Sequence, residues 1–140
     1  MARDPLAVLW RLRDAAVTEA SRNLASARAR ELQEQSQLEA YRLLMRHEQA
    51  TASGENIAAF AAWLPYARQN KNRLQANLEA EEARVLRLQQ ILLSRRTDAE
   101  AVAKAVERQR EEDRRIKAGK EQAMMDEAAG HAGRFNLRQA

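Results

Sequence analysis

The sequence predicts an all-α protein in which two long helices form an antiparallel coiled-coil hairpin, with the second helix longer than the first. Three observations support this prediction. Apolar residues recur at alternating steps of three and four along most of the chain, and only one convincing turn signal interrupts them. The composition also suits long helices, with 4 Gly, 2 Pro and 31% charged residues among 140.

The first helix is predicted from residue 5 to residue 52. The Asp4 carboxylate can accept a backbone N–H as the N-cap, and Pro5 suits the first helical position, where no donor is needed. Its apolar face, called the first stripe, consists of Leu6, Trp10, Arg13, Val17, Ala20, Leu24, Ala27, Glu31, Glu34, Leu38, Tyr41, Met45 and Glu48. The middle of this stripe is weak because Glu31 and Glu34 occupy apolar positions, and a local shift of register could bring Leu32 to the place of Glu31.

A turn is predicted at residues 53–55. Gly54 tolerates the left-handed backbone of a helix end, and Ser53 can cap the helix that follows. So short a connector between two amphipathic helices favours an antiparallel hairpin, in which each stripe covers the other.

The second helix is predicted from residue 56 to residue 129 and carries the stronger pattern. Its apolar face, called the second stripe, consists of Ile57, Phe60, Leu64, Ala67, Lys71, Leu74, Leu78, Glu81, Val85, Leu88, Leu92, Arg95, Ala99, Val102, Val106, Gln109, Asp113, Ile116, Lys120, Ala123 and Glu127. Large apolar residues fill 11 of these 21 positions and 7 of the other 50 in the same window. This contrast indicates a coiled-coil seam.

Two signals inside the second helix could interrupt it. Pro65 removes a backbone hydrogen bond and clashes with the preceding turn, so either the helix kinks near residue 65 or a separate short helix covers 55–64. The stripe crosses Pro65 in phase, which favours the kink. Thr97 and Glu100 match a capping box, but the stripe again continues in phase, which favours an unbroken helix.

The unequal helix lengths predict an unpaired segment. At about 1.5 Å per residue the helices are roughly 70 and roughly 110 Å long, so folding at Gly54 leaves the residues from about Ala103 to Ala129 beyond the first helix. This densely charged segment needs an external partner or frays. Gly130 and Gly133 predict the end of the helix and a disordered tail at 130–140.

Composition and charge exclude several classes of protein. The absence of Cys rules out disulfides and thiolate metal sites. No signal-peptide pattern is present and no apolar run approaches the roughly 20 residues that span a bilayer, so a cytoplasmic protein is expected. The net charge of +4 arises from 24 basic and 20 acidic residues that are interleaved, which is typical of solvated helices.

No catalytic, cofactor or metal site is predicted. His47 and His131 are isolated, and the consecutive acidic residues Glu111 to Asp113 point in different directions around a helix, so neither set can readily chelate an ion. The four glycines are not grouped as a nucleotide-binding loop requires. A two-helix hairpin also lacks the enclosed pocket that catalysis needs, so we do not expect an enzyme.

Nucleic acid and membrane are weaker alternatives. The basic residues from Arg108 to Lys120 resemble the basic region of a coiled-coil transcription factor, but the acidic residues from Glu107 to Glu121 are threaded through them and repel phosphates. No nucleic acid is therefore expected. The apolar face from Leu6 to Val17 could touch a membrane, although it is short.

An aromatic cluster follows the turn and has two interpretations. Phe60, Trp63 and Tyr66 are three of the six aromatic residues. Phe60 and Leu64 could simply pack on the first helix, since both lie on the second stripe. Trp63 and Tyr66 lie off that stripe, however, and adjacent exposed aromatic side chains are typical interface anchors.

Two motifs resemble the FliJ family, the small coiled-coil protein of bacterial flagellar type III export. They are Phe60-x3-Leu64-x2-Ala67 after the turn, and the run Glu121-Gln122-x-x-Met125-Asp126-Glu127 near the carboxyl end. Length, hairpin and longer second helix agree as well, so the resemblance covers nearly the whole chain. The chain departs from the family pattern at Pro65 and at Lys71.

The resemblance implies a non-enzymatic stalk without a cofactor. Its terminal helices would enter the hexameric ring of the export ATPase FliI, and the hairpin would contact the cytoplasmic domain of the export gate FlhA, with export chaperones as further candidate partners. The protein would be cytoplasmic and peripheral at the cytoplasmic face of the inner membrane through this apparatus. The stalk of a virulence type III secretion system and a self-associating structural coiled coil remain alternatives.

Two sets of candidate residues follow from this resemblance. The gate set, expected to contact the export gate, consists of Phe60, Leu64, Ala67 and Lys71. The ring set, expected to contact the ATPase ring, consists of Arg11, Arg13, Arg108, Arg114, Lys120, Glu121, Gln122, Asp126 and Glu127.

Overall fold

The computed structural model describes residues 4–139, and the side chains of residues 4–138. It contains helix α1 (Pro5–Thr51), a 3₁₀ turn (Gly54–Asn56) and helix α2 (Ile57–Gln139). The helices have 47 and 83 residues. The predicted fold class, an all-α hairpin whose second helix is the longer, is confirmed.

The chain divides into two compact units, and both helices contribute to each. Unit 1 comprises Met1–Arg13 and Asp98–Ala140, and unit 2 comprises Asp14–Thr97. Unit 2 therefore contains the turn, and unit 1 contains the start of α1 and the carboxyl part of α2.

In unit 2, α1 and α2 pack antiparallel along the two predicted stripes. Arg42 Nη2 donates a hydrogen bond to Gln75 Oε1 at 2.9 Å and so marks the register between the helices. The buried apolar residues of the described chain are Ala20, Leu24, Ala27, Leu38, Ala67, Leu78, Val85 and Leu92. Every one of them lies on a stripe, so the helix faces that the sequence predicts to be buried are the faces that pack together.

An acidic layer interrupts this apolar seam. Glu31, Glu34 and Glu81 are half-buried stripe residues. The Arg42 to Gln75 register brings Glu34 close to the level of Glu81, because antiparallel helices advance in opposite directions. Oε2 of Glu34 and Oε2 of Glu81 are both buried without a hydrogen-bond partner among the described residues. Burial of such groups opposes folding.

The predicted local shift of register at Leu32 is wrong. Leu32 is 64% exposed, whereas Glu31 keeps its half-buried stripe position. Ala27 and Leu38 are buried on either side of this stretch in the same phase. Because these two anchors keep one phase, Glu31 stays on the packed face of the helix and Leu32 lies outside it.

Replacing Glu34 and Glu81 together by leucine is expected to stabilise the protein. The change removes two buried carboxylate oxygens that lack partners and extends the apolar seam, so the free energy of unfolding should rise by about 2 kcal/mol. Thermal unfolding followed by circular dichroism measures it. Glu82→Leu, at an exposed neighbouring position, is the control and should change stability by less than about 0.5 kcal/mol. A lower melting temperature in the double variant would contradict the interpretation of this layer as a packing defect.

The connector forms as predicted in outline but not in its capping. Gly54 has a φ of 55°, the left-handed backbone that favours glycine. Ser53 is extended and its hydroxyl makes no capping hydrogen bond. The backbone carbonyl of Ser53 accepts instead from Asn56 N at 3.1 Å. The predicted hydroxyl cap is therefore wrong, because the helix is entered through a 3₁₀ turn that uses the backbone acceptor.

Helix α2 runs through both of its predicted interruption points. Pro65 lies inside the helix, so no separate helix covers 55–64. The bend at this residue stays a prediction. The Thr97 hydroxyl donates to Leu93 O at 3.0 Å, a bond to the preceding turn, and so Thr97 does not cap a new helix.

The predicted end at residue 129 and the disordered tail at 130–140 are not found over the described residues. Helix α2 continues through Gly130 and Gly133 to Gln139. Neither glycine has positive φ, so neither adopts the backbone of a helix end. A glycine inside a helix costs only about 1 kcal/mol relative to alanine, which the continuing hydrogen bonds can offset.

Unit 1 begins with the predicted cap. Asp4 Oδ1 accepts from Leu6 N at 3.1 Å, and Asp4 O accepts from Val8 N at 3.2 Å, so Asp4 is the N-cap of α1. In α2, Val102 and Val106 are half-buried. Every side chain from Glu107 to Arg138 is exposed. Between residues 4 and 139, neither helix has a stretch long and apolar enough to cross a membrane.

Candidate partner-binding surfaces

The gate set lies in unit 2, on the first turns of α2. Phe60, Leu64 and Lys71 are half-buried, so each combines a packed portion with an accessible one. Ala67 is 0% exposed. In this conformation Ala67 offers no surface to a partner, and its small side chain allows the helices to approach closely. The structure therefore brings three of the four predicted residues to the surface.

Phe60 lies between two grooves near the turn. The first, called the loop groove, has a volume of about 500 Å³. It is lined by Leu44, Glu48, Thr51, Ala52, Asn56, Ala59, Phe60 and Trp63. The Phe60 and Trp63 rings pack with centroids 5.9 Å apart at 47°, a tilted aromatic pair that holds both side chains in place.

The off-stripe aromatic residues have different exposures. Trp63 is half-buried, because it packs on Phe60 and lines the loop groove. Tyr66 is 73% exposed. The prediction of adjacent exposed aromatic side chains thus describes Tyr66 well and Trp63 only in part. Phe60 is half-buried and also lines two grooves, and its contact with a partner stays a prediction.

The second groove, called the cationic groove, has a volume of about 410 Å³. It is lined by Arg42, Met45, Arg46, Gln49, Phe60, Leu64, Arg68 and Lys71. The basic side chains that line the groove come from both helices. No acidic residue lines it. Arg42 and Arg46 were missed by reasoning from motifs, because they belong to the other helix from the gate set. The sequence shows separate basic residues before and after the turn, but it does not show which of them share a groove.

The ring set lies in unit 1 and is exposed, apart from the half-buried Arg13. Several of its members contact their own helix. Arg114 Nη2 lies 3.0 Å from Glu111 Oε2 and 3.5 Å from Glu107 Oε1. Gln122 Nε2 donates to Asp126 Oδ1 at 3.1 Å. Exposed contacts of this kind contribute little to stability, so a partner can replace them at low cost.

Large apolar side chains are also exposed on this part of α2. They are Ile116, Met124, Met125, Phe135 and Leu137, with exposed fractions from 51% to 79%. Exposed apolar side chains surrounded by charged ones are typical of a surface that binds another protein. Among the described residues there is no group of three or more His, Asp or Glu side chains that could hold a metal ion.

These features define the class as a coiled-coil hairpin protein, with open grooves beside its turn in unit 2 and an exposed helical segment in unit 1. The family model for the flagellar FliJ protein matches residues 1–138, and the chain belongs to this family. No curated protein and no solved structure matches the chain. The family comprises structural, coupling proteins of flagellar type III export, which function with the export apparatus.

Proposed function

We propose that this chain is the stalk and coupling factor of flagellar type III export. The ring set, at the start of α1 and in the carboxyl part of α2, enters the hexameric ring of the export ATPase. The gate set contacts the cytoplasmic domain of the export gate. The protein itself performs no catalysis, and it is held at the cytoplasmic face of the inner membrane by these partners.

The observation that carries the ATPase contact is the exposure of every side chain from Glu107 to Arg138. Most helical stability in proteins comes from packing of an apolar face against a neighbour. This segment displays Ile116, Met124 and Met125 to solvent and has charges on all sides. A ring of subunits would cover such a helix from several directions at once, which suits its lack of a single apolar face.

The gate contact is supported by the grooves on either side of Phe60. An aromatic side chain held in place by a neighbouring ring loses little conformational freedom on binding, which is typical of residues that dominate an interface. Phe60 has such a neighbour in Trp63, and Leu64 lines the cationic groove beside it.

Two alternatives are distinguished by their partners. The family match favours flagellar export over the equivalent stalk of a virulence secretion system. Met124 and Phe135 are exposed and lie three helical turns apart on nearly the same face, so they would also suit a self-associating coiled coil in which a second copy covers them.

The full-length chain is expected to co-purify with the hexameric export ATPase and to stimulate its ATP hydrolysis. Arg108→Glu with Lys120→Glu should weaken both effects, because it reverses two exposed charges of the ring set. Steady-state hydrolysis and size-exclusion chromatography measure them. Arg46→Glu with Arg68→Glu, which changes the net charge equally but in unit 2, is the matched control and should behave as wild type. A stable homodimer that leaves the ATPase unaffected would refute the stalk function in favour of self-association.

A further inference from the structure

We propose that the cationic groove binds an acidic, amphipathic segment of the gate, with apolar side chains seated on Phe60 and Leu64 and carboxylates paired with Arg42, Arg46, Arg68 and Lys71. The inference rests on the proposed gate contact and specifies the chemistry of the gate segment that makes it. The gate set accounts for only three of these six residues.

The first argument is the concentration of positive charge. Residues 40–78, which lie between Glu39 and Glu79, contain five basic and two acidic residues, an excess of three in a chain whose net charge is +4. Four of these five basic side chains line this one groove. The rest of the chain therefore carries an excess of only one positive charge.

The second argument is that these cations have no carboxylate partner. Among the described residues, the basic side chains within 4.0 Å of a carboxylate are those of Arg114 and His131, both in unit 1. Arg42 is held by the neutral amide of Gln75. Four cations around one groove repel each other, so a partner that supplies carboxylates relieves this repulsion and gains charge-assisted hydrogen bonds.

The third argument is the apolar floor. Phe60 and Leu64 are half-buried and line the groove together with Met45. A nucleic-acid duplex would satisfy the cations but would place its charged backbone against these side chains. A helical segment with apolar residues on one face and acidic residues beside it satisfies both requirements at once. The groove thus favours an acidic peptide over nucleic acid.

The test measures binding of the purified cytoplasmic domain of the gate to the full-length chain at several salt concentrations. Wild-type affinity should fall as salt rises, since the contact includes exposed charge pairs. Arg46→Glu with Arg68→Glu should weaken binding roughly tenfold or more and reduce the salt dependence, because both side chains are exposed rim charges. Arg46→Lys with Arg68→Lys should retain most of the affinity. Arg87→Glu with Arg96→Glu, which reverses two exposed charges of α2 outside the cationic groove and outside the ring set, is the matched control and should bind as wild type does.

Failure of the inference and failure of the gate contact give different results. If charge reversal and salt leave binding unchanged while Phe60→Ala with Leu64→Ala abolishes it, the gate contact stands and the acidic partner is wrong.

If wild type does not bind the gate at all, the proposed contact fails, and synthetic peptides test the groove alone. The probe is a helical peptide of about 20 residues with leucines on one face and glutamates beside them, and its twin has lysines instead. Binding of the acidic peptide to wild type but not to Arg46→Glu with Arg68→Glu supports the groove chemistry. Equal binding of both peptides, or tighter binding of a single-stranded oligonucleotide, overturns it.

Discussion

Replacing Phe60 and Leu64 together by alanine is expected to abolish binding of the export gate while leaving the helical content close to that of wild type. Both side chains are half-buried, so their truncation should lower the free energy of unfolding by only about 1 to 2 kcal/mol each. The loss of binding should be much larger, because the double variant removes an aromatic anchor and the apolar floor of the cationic groove. Titration calorimetry with the gate domain measures binding, and circular dichroism measures helicity.

The matched control for this prediction is Leu74→Ala with Leu88→Ala. These two leucines are also half-buried residues of the second stripe in unit 2, but they line neither groove beside Phe60. The control should therefore lose comparable stability and keep gate binding. If the Phe60 and Leu64 variant instead loses helicity in proportion to binding, the two residues act by packing within the hairpin, and the gate contact lies elsewhere.

Deletion of the gene is expected to abolish swimming. The family functions with the flagellar export apparatus, so removal of the proposed coupling factor should prevent assembly of the filament. Motility in soft agar and electron microscopy of filaments measure the effect. A plasmid that encodes the full chain should restore swimming, whereas one that encodes Phe60→Ala with Leu64→Ala should not.

This result also separates the two export systems. A deletion strain that swims normally but fails to secrete virulence effectors would assign the chain to the virulence apparatus, despite its family. Levels of the wild-type chain and of the Phe60→Ala with Leu64→Ala chain must be compared by immunoblot, so that degradation is not mistaken for loss of function.

The sequence predicts which face of each helix is buried. It does not predict how deeply each residue on that face is buried. Steps of three and four residues identify which face is buried, and all the buried apolar residues lie on the predicted stripes. How deeply each one is buried depends on the side chain opposite, and this requires the register between the helices. Hence Ala67 was expected to contact a partner and is instead 0% exposed, between the half-buried Leu64 and Lys71.

The cationic groove could not be predicted for the same reason. Arg42 and Arg46 are separated in sequence from Arg68 and Lys71, and they line one groove only because the helices fold back at Gly54. Local sequence signals for the end of a helix were also misleading, because ending the helix and continuing it differ little in free energy. Gly130 and Gly133 resemble a helix end, yet the backbone continues as a helix to Gln139.

Helix α2 crosses Pro65 without ending, and this has a consequence for the backbone beside the gate set. Proline has no N–H, so the carbonyl oxygen of Ala61, four residues earlier, loses the donor that a regular helix would provide. That oxygen belongs to the residue directly after Phe60, and Ala61 is exposed. An acceptor is thus left open next to the aromatic anchor, where a water molecule or an N–H group from outside the helix can bind. A partner that packs against Phe60 can therefore also donate a hydrogen bond to the Ala61 carbonyl oxygen.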